Sequence, residues 1–167
     1  MIRVGVIADT HGYLDPNLEK HFKSCTEIWH AGDFGGVGVI DELESWGKTL
    51  RLVHGNIDDH IVRTVASKDL LFQCEAHSVF MTHIAGYPGR YSKRVRELIA
   101  LHQPGIVVCG HSHILKIIYD KKYNHLHINP GSCGKHGFHQ IRTAIRFSID
   151  GEKITDMQVI ELGKRGR

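Results

Sequence analysis

The chain has 167 residues, 41% hydrophobic and 23% charged, with a net charge of +3. That is the composition of one ordinary globular domain, long enough to fold around its own core without disulfides or a structural metal. Its apolar runs are too short for a membrane span, and its basic residues are mixed with acids except in the tail "GKRGR" at 163–167. A membrane protein and a dedicated nucleic-acid binder are therefore not expected, and the tail reads as solvated and frayed.

"IRVGVIA" (2–8) is an apolar β-type run that begins at once, leaving no room for a signal peptide, and it ends in "DTHG". "PNLEKHFKSC" (16–25) predicts a helix with Pro16 in its first turn and Asp15 as its cap. "EIWHA" (27–31) is a strand ended by "GDFGG". "VGVIDELESW" (37–46) has helical periodicity and stops at Gly47, and "TLRLVHG" (49–55) is a strand ended by "GNID". The first third thus reads β-α-β-α-β, which implies parallel strands with helices on a face.

The two runs "DLLFQCEA" and "HSVFMTHI" follow as antiparallel neighbours, then a helix at 91–102 and the buried strand "GIVVCG". "HILKIIYD", "YNHLHIN", "TAIRFSI" and "KITDMQVIEL" make a strand-only tail, with a hairpin turn at Asp150-Gly151. The expected fold is α/β, two packed mixed β-sheets flanked by helices in an α/β/β/α sandwich, spanning residues 1–167 as one domain. Cys25, Cys74, Cys109 and Cys133 form no CxxC and read as reduced thiols of a cytoplasmic protein.

Polar residues recur just past the strands. They are Asp9 and His11, Asp33, Asn56, His83, and the pair His111 and His113 of "GHSH". Each piece alone is ordinary, because Asp and His are loop residues and GD and GN are turn dipeptides. Their ordered recurrence carries the argument. Carboxyl ends of parallel strands share one edge, where ligands bind. The set holds oxygen and imidazole donors without thiolate, which suits Mn, Fe, Ni, Co or Zn. Seven donors are too many for one four-coordinate ion and suit two ions sharing a carboxylate.

The series D-x-H, GD, GN-x-D, H and GHxH resembles the calcineurin-like metallophosphoesterase superfamily. With "NPGS" (Asn129–Ser132) it is similar to the small single-domain phosphodiesterases of bacteria and archaea. The resemblance implies two divalent ions, from among Mn, Ni, Fe and Zn with manganese first. Asp9, His11 and His113 would hold one, Asn56, His83 and His111 the other, and Asp33 would bridge them. It also implies hydrolysis of a phosphodiester by a metal-bridging hydroxide, with Asp33, Asn56, Asp58 and His83 in the catalytic machinery and Asp58 orienting a ligand. The substrate would be a small phosphoester. Nucleic acid and membrane are not expected as partners, and a homo-oligomer is compatible with the sequence. Two other readings share the fold: a phosphomonoesterase, and an interaction scaffold like the retromer subunit.

The sequence departs from the family pattern in three places. Ile57 stands where many relatives carry a histidine that can protonate the leaving group. "THIAGYPGRY" holds a single histidine where relatives have "HGH". "SCGKHGFHQIR" adds Lys135, His136, His139 and Arg142, which either face the metal rim or lie in an exposed loop. His30 is a core residue or a donor to a ligand carboxylate, and His54 beside "GN" has the same standing. Arg90 and Arg94 bind phosphate oxygens or form a solvated helix face.

Overall fold

The structure is a computed structural model, and it describes residues 1–166. Two five-stranded sheets stack face to face. The first has the order β10-β9-β1-β2-β3 and the second β4-β5-β6-β8-β7. In the first, β1 (Ile2–Ile7), β2 (Glu27–His30) and β3 (Thr49–Leu52) are parallel. The long hairpin β9 (Ile141–Asp150) and β10 (Lys153–Lys164) adds antiparallel to β1 and turns at Gly151, whose φ of 59° suits glycine. In the second, β4 (Asp69–Cys74) pairs antiparallel with β5 (His77–Thr82). β5, β6 (Ile106–Val108) and β8 (His125–Pro130) are parallel, and β7 (Leu115–Asp120) closes the edge.

The side chains explain the layers. Val4, Val6, Trp29, Ile145 and Phe147 of the first sheet meet Val79, Met81, Ile106, Val108 and Ile128 of the second. Strands covered on both faces read as continuous apolar runs, as β1 and β6 do. The outer face of the first sheet takes Leu18, Leu43 and Val62 from α1 (Leu18–His21), α2 (Val37–Ser45) and α3 (His60–Val65). The outer face of the second takes Val95 and Ile99 of α4 (Lys93–His102). The expected α/β/β/α sandwich is the observed one.

Four local expectations need correction. The helix expected over 16–25 shrinks to one turn. Asp15 is not its cap: one carboxylate oxygen accepts from the Asn17 amide and the other from Arg142. Short-range turns bond Lys23 to Lys20 and Cys25 to Phe22, so that Leu18, Phe22 and Cys25 all reach the core. The helix α3 was not foreseen; its signal was Asp59, whose side chain accepts from the Val62 amide as an N-cap. The helix expected from residue 91 begins at Lys93, because Ser92 caps it through the Val95 amide. The tail expected to fray from residue 163 is tied down at its start, since Gly163 and Lys164 pair with Arg142 and Ile141 and the Arg165 amide donates to the Gln140 carbonyl; Arg167 lies outside the described residues. No helix among the described residues is long and apolar enough to cross a membrane. The four cysteines are buried and unbridged.

Candidate metal centre

The parallel strands of both sheets end at one rim, and there the chain bends sharply. Asp9, His11, Asp33, His111 and His113 all have positive φ, between 46° and 71°. Such angles cost a non-glycine residue roughly 1–3 kcal/mol and cluster at functional sites. Here they swing five side chains off the strand ends and into a common space. The packing is equally tight. A Cβ on Gly55 would lie 2.0 Å from Oδ1 of Asp33, and one on Gly32 would lie 2.6 Å from Nδ1 of His83.

All seven expected residues converge there. Asp9, His11 and His113 form one group whose donor atoms lie within 4.8 Å of one another, and Asp33, His83 and His111 form a second. Oδ1 of Asn56 is 3.1 Å from both Nε2 of His83 and Nδ1 of His111. Oδ2 of Asp33 is 3.2 Å from Nε2 of His83 and 3.6 Å from Nε2 of His11, so it stands between the groups. Two donors on one ion, each about 2.1 Å away, sit about 3.0–3.4 Å apart. The observed spacings fit that geometry.

Two atoms make the case for a cation directly. Oδ1 of Asp9 and Nε2 of His11 are buried without a hydrogen-bond partner. Among the described residues, the ionisable nitrogens within ion-pair distance of Oδ1 of Asp9 are Nε2 of His113 at 3.5 Å and Nε2 of His83 at 3.8 Å. An unpaired buried carboxylate oxygen is costly, and a metal ion removes that cost.

Hydrogen bonds set the tautomers. His83 donates from Nδ1 to the Ala31 carbonyl at 2.7 Å, leaving Nε2 to face the site. Nε2 of His139 donates to the Gly134 carbonyl at 2.8 Å, so its Nδ1 accepts from Nδ1 of His113 at 3.2 Å. That leaves a lone pair on Nε2 of His113, aimed at Asp9. Such outer partners are the usual means of orienting metal-binding imidazoles. Burial opposes the charge of Asp33, but the bond and charge of His83 and the Ile57 amide outweigh it and hold its pKa low. Burial likewise opposes a charged His83, and the carboxylates of Asp33 and Asp9 outweigh it, raising its pKa. Burial lowers that of His11.

Asp58 lies behind the site. Its carboxylate accepts from the amides of Asp33 (3.0 Å), Gly35 (3.1 Å) and Gly55 (2.7 Å), tying the GD loop to the GN loop. Asn129 and Ser132 of "NPGS" brace two more loops, through the Gly110 and Asp9 carbonyls. Ile57 is exposed, and the groups within hydrogen-bond distance of the Asn56 side chain are the imidazoles of His83 and His111.

The two-way readings of the neighbouring residues are decided by their partners. His30 does not reach a ligand carboxylate. It accepts from the Gly32 amide, donates to Thr10 and stacks on Phe34, so it is a core brace. Its burial pushes the pKa down to about 3, keeping it neutral. Arg142 is not at the rim: it is buried against Asp15 at 2.6 Å. Lys135 turns instead to the Tyr13 ring. His136 and His139 do reach the rim, beside His11 and His113. Arg94 grips Asp69 at 2.6 and 3.1 Å, and Arg90 is exposed. Thr10 and Arg63, which holds the Asp58 carbonyl at 2.8 Å, were missed; neither belongs to a sequence signature.

A family model described as the calcineurin-like phosphoesterase superfamily domain matches residues 2–152. The chain belongs to that superfamily. No curated protein matches it. Among solved structures it is similar to an archaeal phosphodiesterase, with TM-score 0.74 and 24% identity over 96% of this chain and 100% of that one. It is also similar to a predicted phosphoesterase of Streptococcus pneumoniae, with TM-score 0.71 and 17% identity over 96% and 89%. A third is zinc-bound Vps29 of Entamoeba histolytica, with TM-score 0.75 and 14% identity over 97% and 99%. At these identities the likeness is one of fold. Membership fixes the superfamily, and both the metal-binding residues and the chemistry have to be argued from the rim itself.

Proposed function

We propose that the chain is a cytoplasmic metal-dependent phosphodiesterase acting on a small phosphoester, with a dinuclear centre at the rim. The observation that carries this reading is the pair of buried, unpartnered atoms on Asp9 and His11 within a complete donor set. Asp9, His11 and His113 would hold one ion and Asn56, His83 and His111 the other, with Asp33 placed between the two groups. Two such ions, manganese first among the candidates, supply water activation at neutral pH and neutralise charge building on phosphorus.

The chain's own residues do the rest. His83 and His113 present lone pairs because Ala31 and His139 hold their other nitrogens. Asp58 keeps Asp33 and Asn56 in register by bonding both loops. Ile57 offers no proton to a leaving group, so turnover should fall steeply as the leaving alcohol becomes less acidic. That favours activated diesters over alkyl monoesters.

The test is turnover of matched aryl diesters and monoesters by chelated and reloaded protein. Chelation abolishes diester hydrolysis and Mn or Ni restores it. Equal rates in stripped and loaded protein refute the metal mechanism. A purified chain that binds both ions yet turns over neither ester would instead favour an interaction scaffold on this fold.

A further inference from the structure

A cleft of about 190 Å³ opens beside the metal-binding rim. Asn56 and His83 of the rim line it together with Arg63, Lys68, Arg94 and the half-exposed Ile84. Its size suits one chemical group or short arm of a substrate rather than a whole ligand. No carboxylate lines it.

The three cations are not equivalent. Arg94 is neutralised by Asp69 in a two-pronged pair and also donates to Thr82. Arg63 donates only to the backbone carbonyls of Asp58 and Gly55, which leave its charge uncancelled. Among the described residues, neither Arg63 nor Lys68 has a carboxylate within ion-pair distance. The cleft therefore carries two positive charges with no directly paired carboxylate, Lys68 meeting the charge of Asp69 only at longer range, and one of them is a planar guanidinium suited to phosphate oxygens. They adjoin the side of the centre formed by Asn56 and His83, where a bound phosphoester would project one arm.

We infer that this cleft is a subsite for a second, terminal phosphate, so the preferred substrate is a phosphodiester with a short organic arm ending in a phosphate monoester. Two positive charges match a phosphate dianion better than a carboxylate, and Ile84 offers apolar contact to the linking arm. The inference rests on the phosphodiesterase reading for the scissile bond, but the anion site stands on its own residues.

Two measurements separate them. The first compares kcat/KM of the metal-loaded protein for two diesters that differ only in the end of one arm, phosphate or hydroxyl. The phosphate-ended substrate is favoured about tenfold, as expected for two partly exposed charges. Lys68→Glu brings that ratio near one, and the same charge change at exposed Lys121 leaves it in place. A ratio near one in the unmutated protein, or equal ratios in the two variants, overturns the subsite. A carboxylate-ended substrate performing as well as the phosphate one overturns its assignment to phosphate. The second titrates the metal-free full chain with inorganic phosphate and follows the Arg63 side-chain Nε–H and the Lys68 amide by NMR. Saturable shifts at both are expected, and their absence at tens of millimolar phosphate overturns the site. Saturable shifts without hydrolysis of either diester would sink the enzyme reading and leave the anion site standing.

Discussion

Gly55 offers the sharpest test of the rim's geometry. It sits in the GN loop, and it lacks the positive φ that would make any side chain strained there. Its role is room: a Cβ would meet Oδ1 of Asp33 at 2.0 Å, its amide nitrogen at 2.5 Å and its Cγ at 2.8 Å. An ordinary contact begins near 3.4 Å. In Gly55→Ala the Asp33 carboxylate must therefore retreat by more than about 1 Å, because its own backbone blocks a smaller adjustment. That movement breaks the bond from the Ile57 amide at 3.1 Å and pulls Oδ2 from its place 3.2 Å from His83. Metal sites tolerate ligand displacements of only about 0.2 Å. Affinity for metal should fall by about 10–100-fold, and stability by about 1–3 kcal/mol. Calorimetric titration with Mn and Zn, with urea unfolding alongside, measures both. Gly38→Ala is the control: its Cβ would meet nothing within 4 Å, and on helix α2 it should stabilise by about 0.5–1 kcal/mol. If Gly55→Ala binds metal as tightly as Gly38→Ala, Asp33 is not a shared ligand held against Gly55.

Asp33→Asn and Asp58→Asn should fail differently. The first should lose metal affinity with little change in midpoint temperature. The second turns an amide group toward backbone N–H donors and should lose about 1–3 kcal/mol of stability. A reversed pattern in paired melting and metal titration would exchange the roles of the two carboxylates. His139→Phe removes the acceptor that holds the Nδ1 proton of His113, and should weaken one of two metal sites by about tenfold while the other is unchanged; equal weakening of both sites contradicts the pairing of His139 with His113 alone. Arg142→Met strands Asp15 in the interior and should cost about 3–5 kcal/mol. Burial pushes Asp15 up, but Arg142 and the Asn17 amide outweigh it, so its folded pKa lies below the ordinary 3.8. The pair's contribution is then present above pH 3.8 and lost as pH falls through the folded value. Acid unfolding of the variant should lack that segment, and matching curves for variant and parent would refute it.

Much of this is legible in the order of residues alone. Apolar runs followed by Asp, His or Asn mark the strands and the residues that gather at their ends, because parallel strands deliver their carboxyl ends to one edge. The two-sheet sandwich follows from helix–strand alternation giving way to strands alone. Local signals fail where tertiary demands prevail. The segment after Asp15 looks helical, yet three apolar side chains have to enter one core and only a single turn survives. Arg142 looks like a rim residue by its nearness to "NPGS", but β9 carries it to the buried carboxylate of Asp15, 127 residues away in sequence.

The sequence by itself determined the seven donors that gather at the rim, since order along the chain and strand direction suffice for those, though not for Arg142, His136 and His139. Only the tertiary structure decided how they act. The positive φ angles, the tautomer of His113, the three amides on Asp58 and the gathering of Arg63 and Lys68 in one cleft without a directly paired carboxylate all depend on distances between loops remote in sequence. Hydrogen bonds and charge pairing act over a few ångströms of space, and one-dimensional spacing carries no record of that distance.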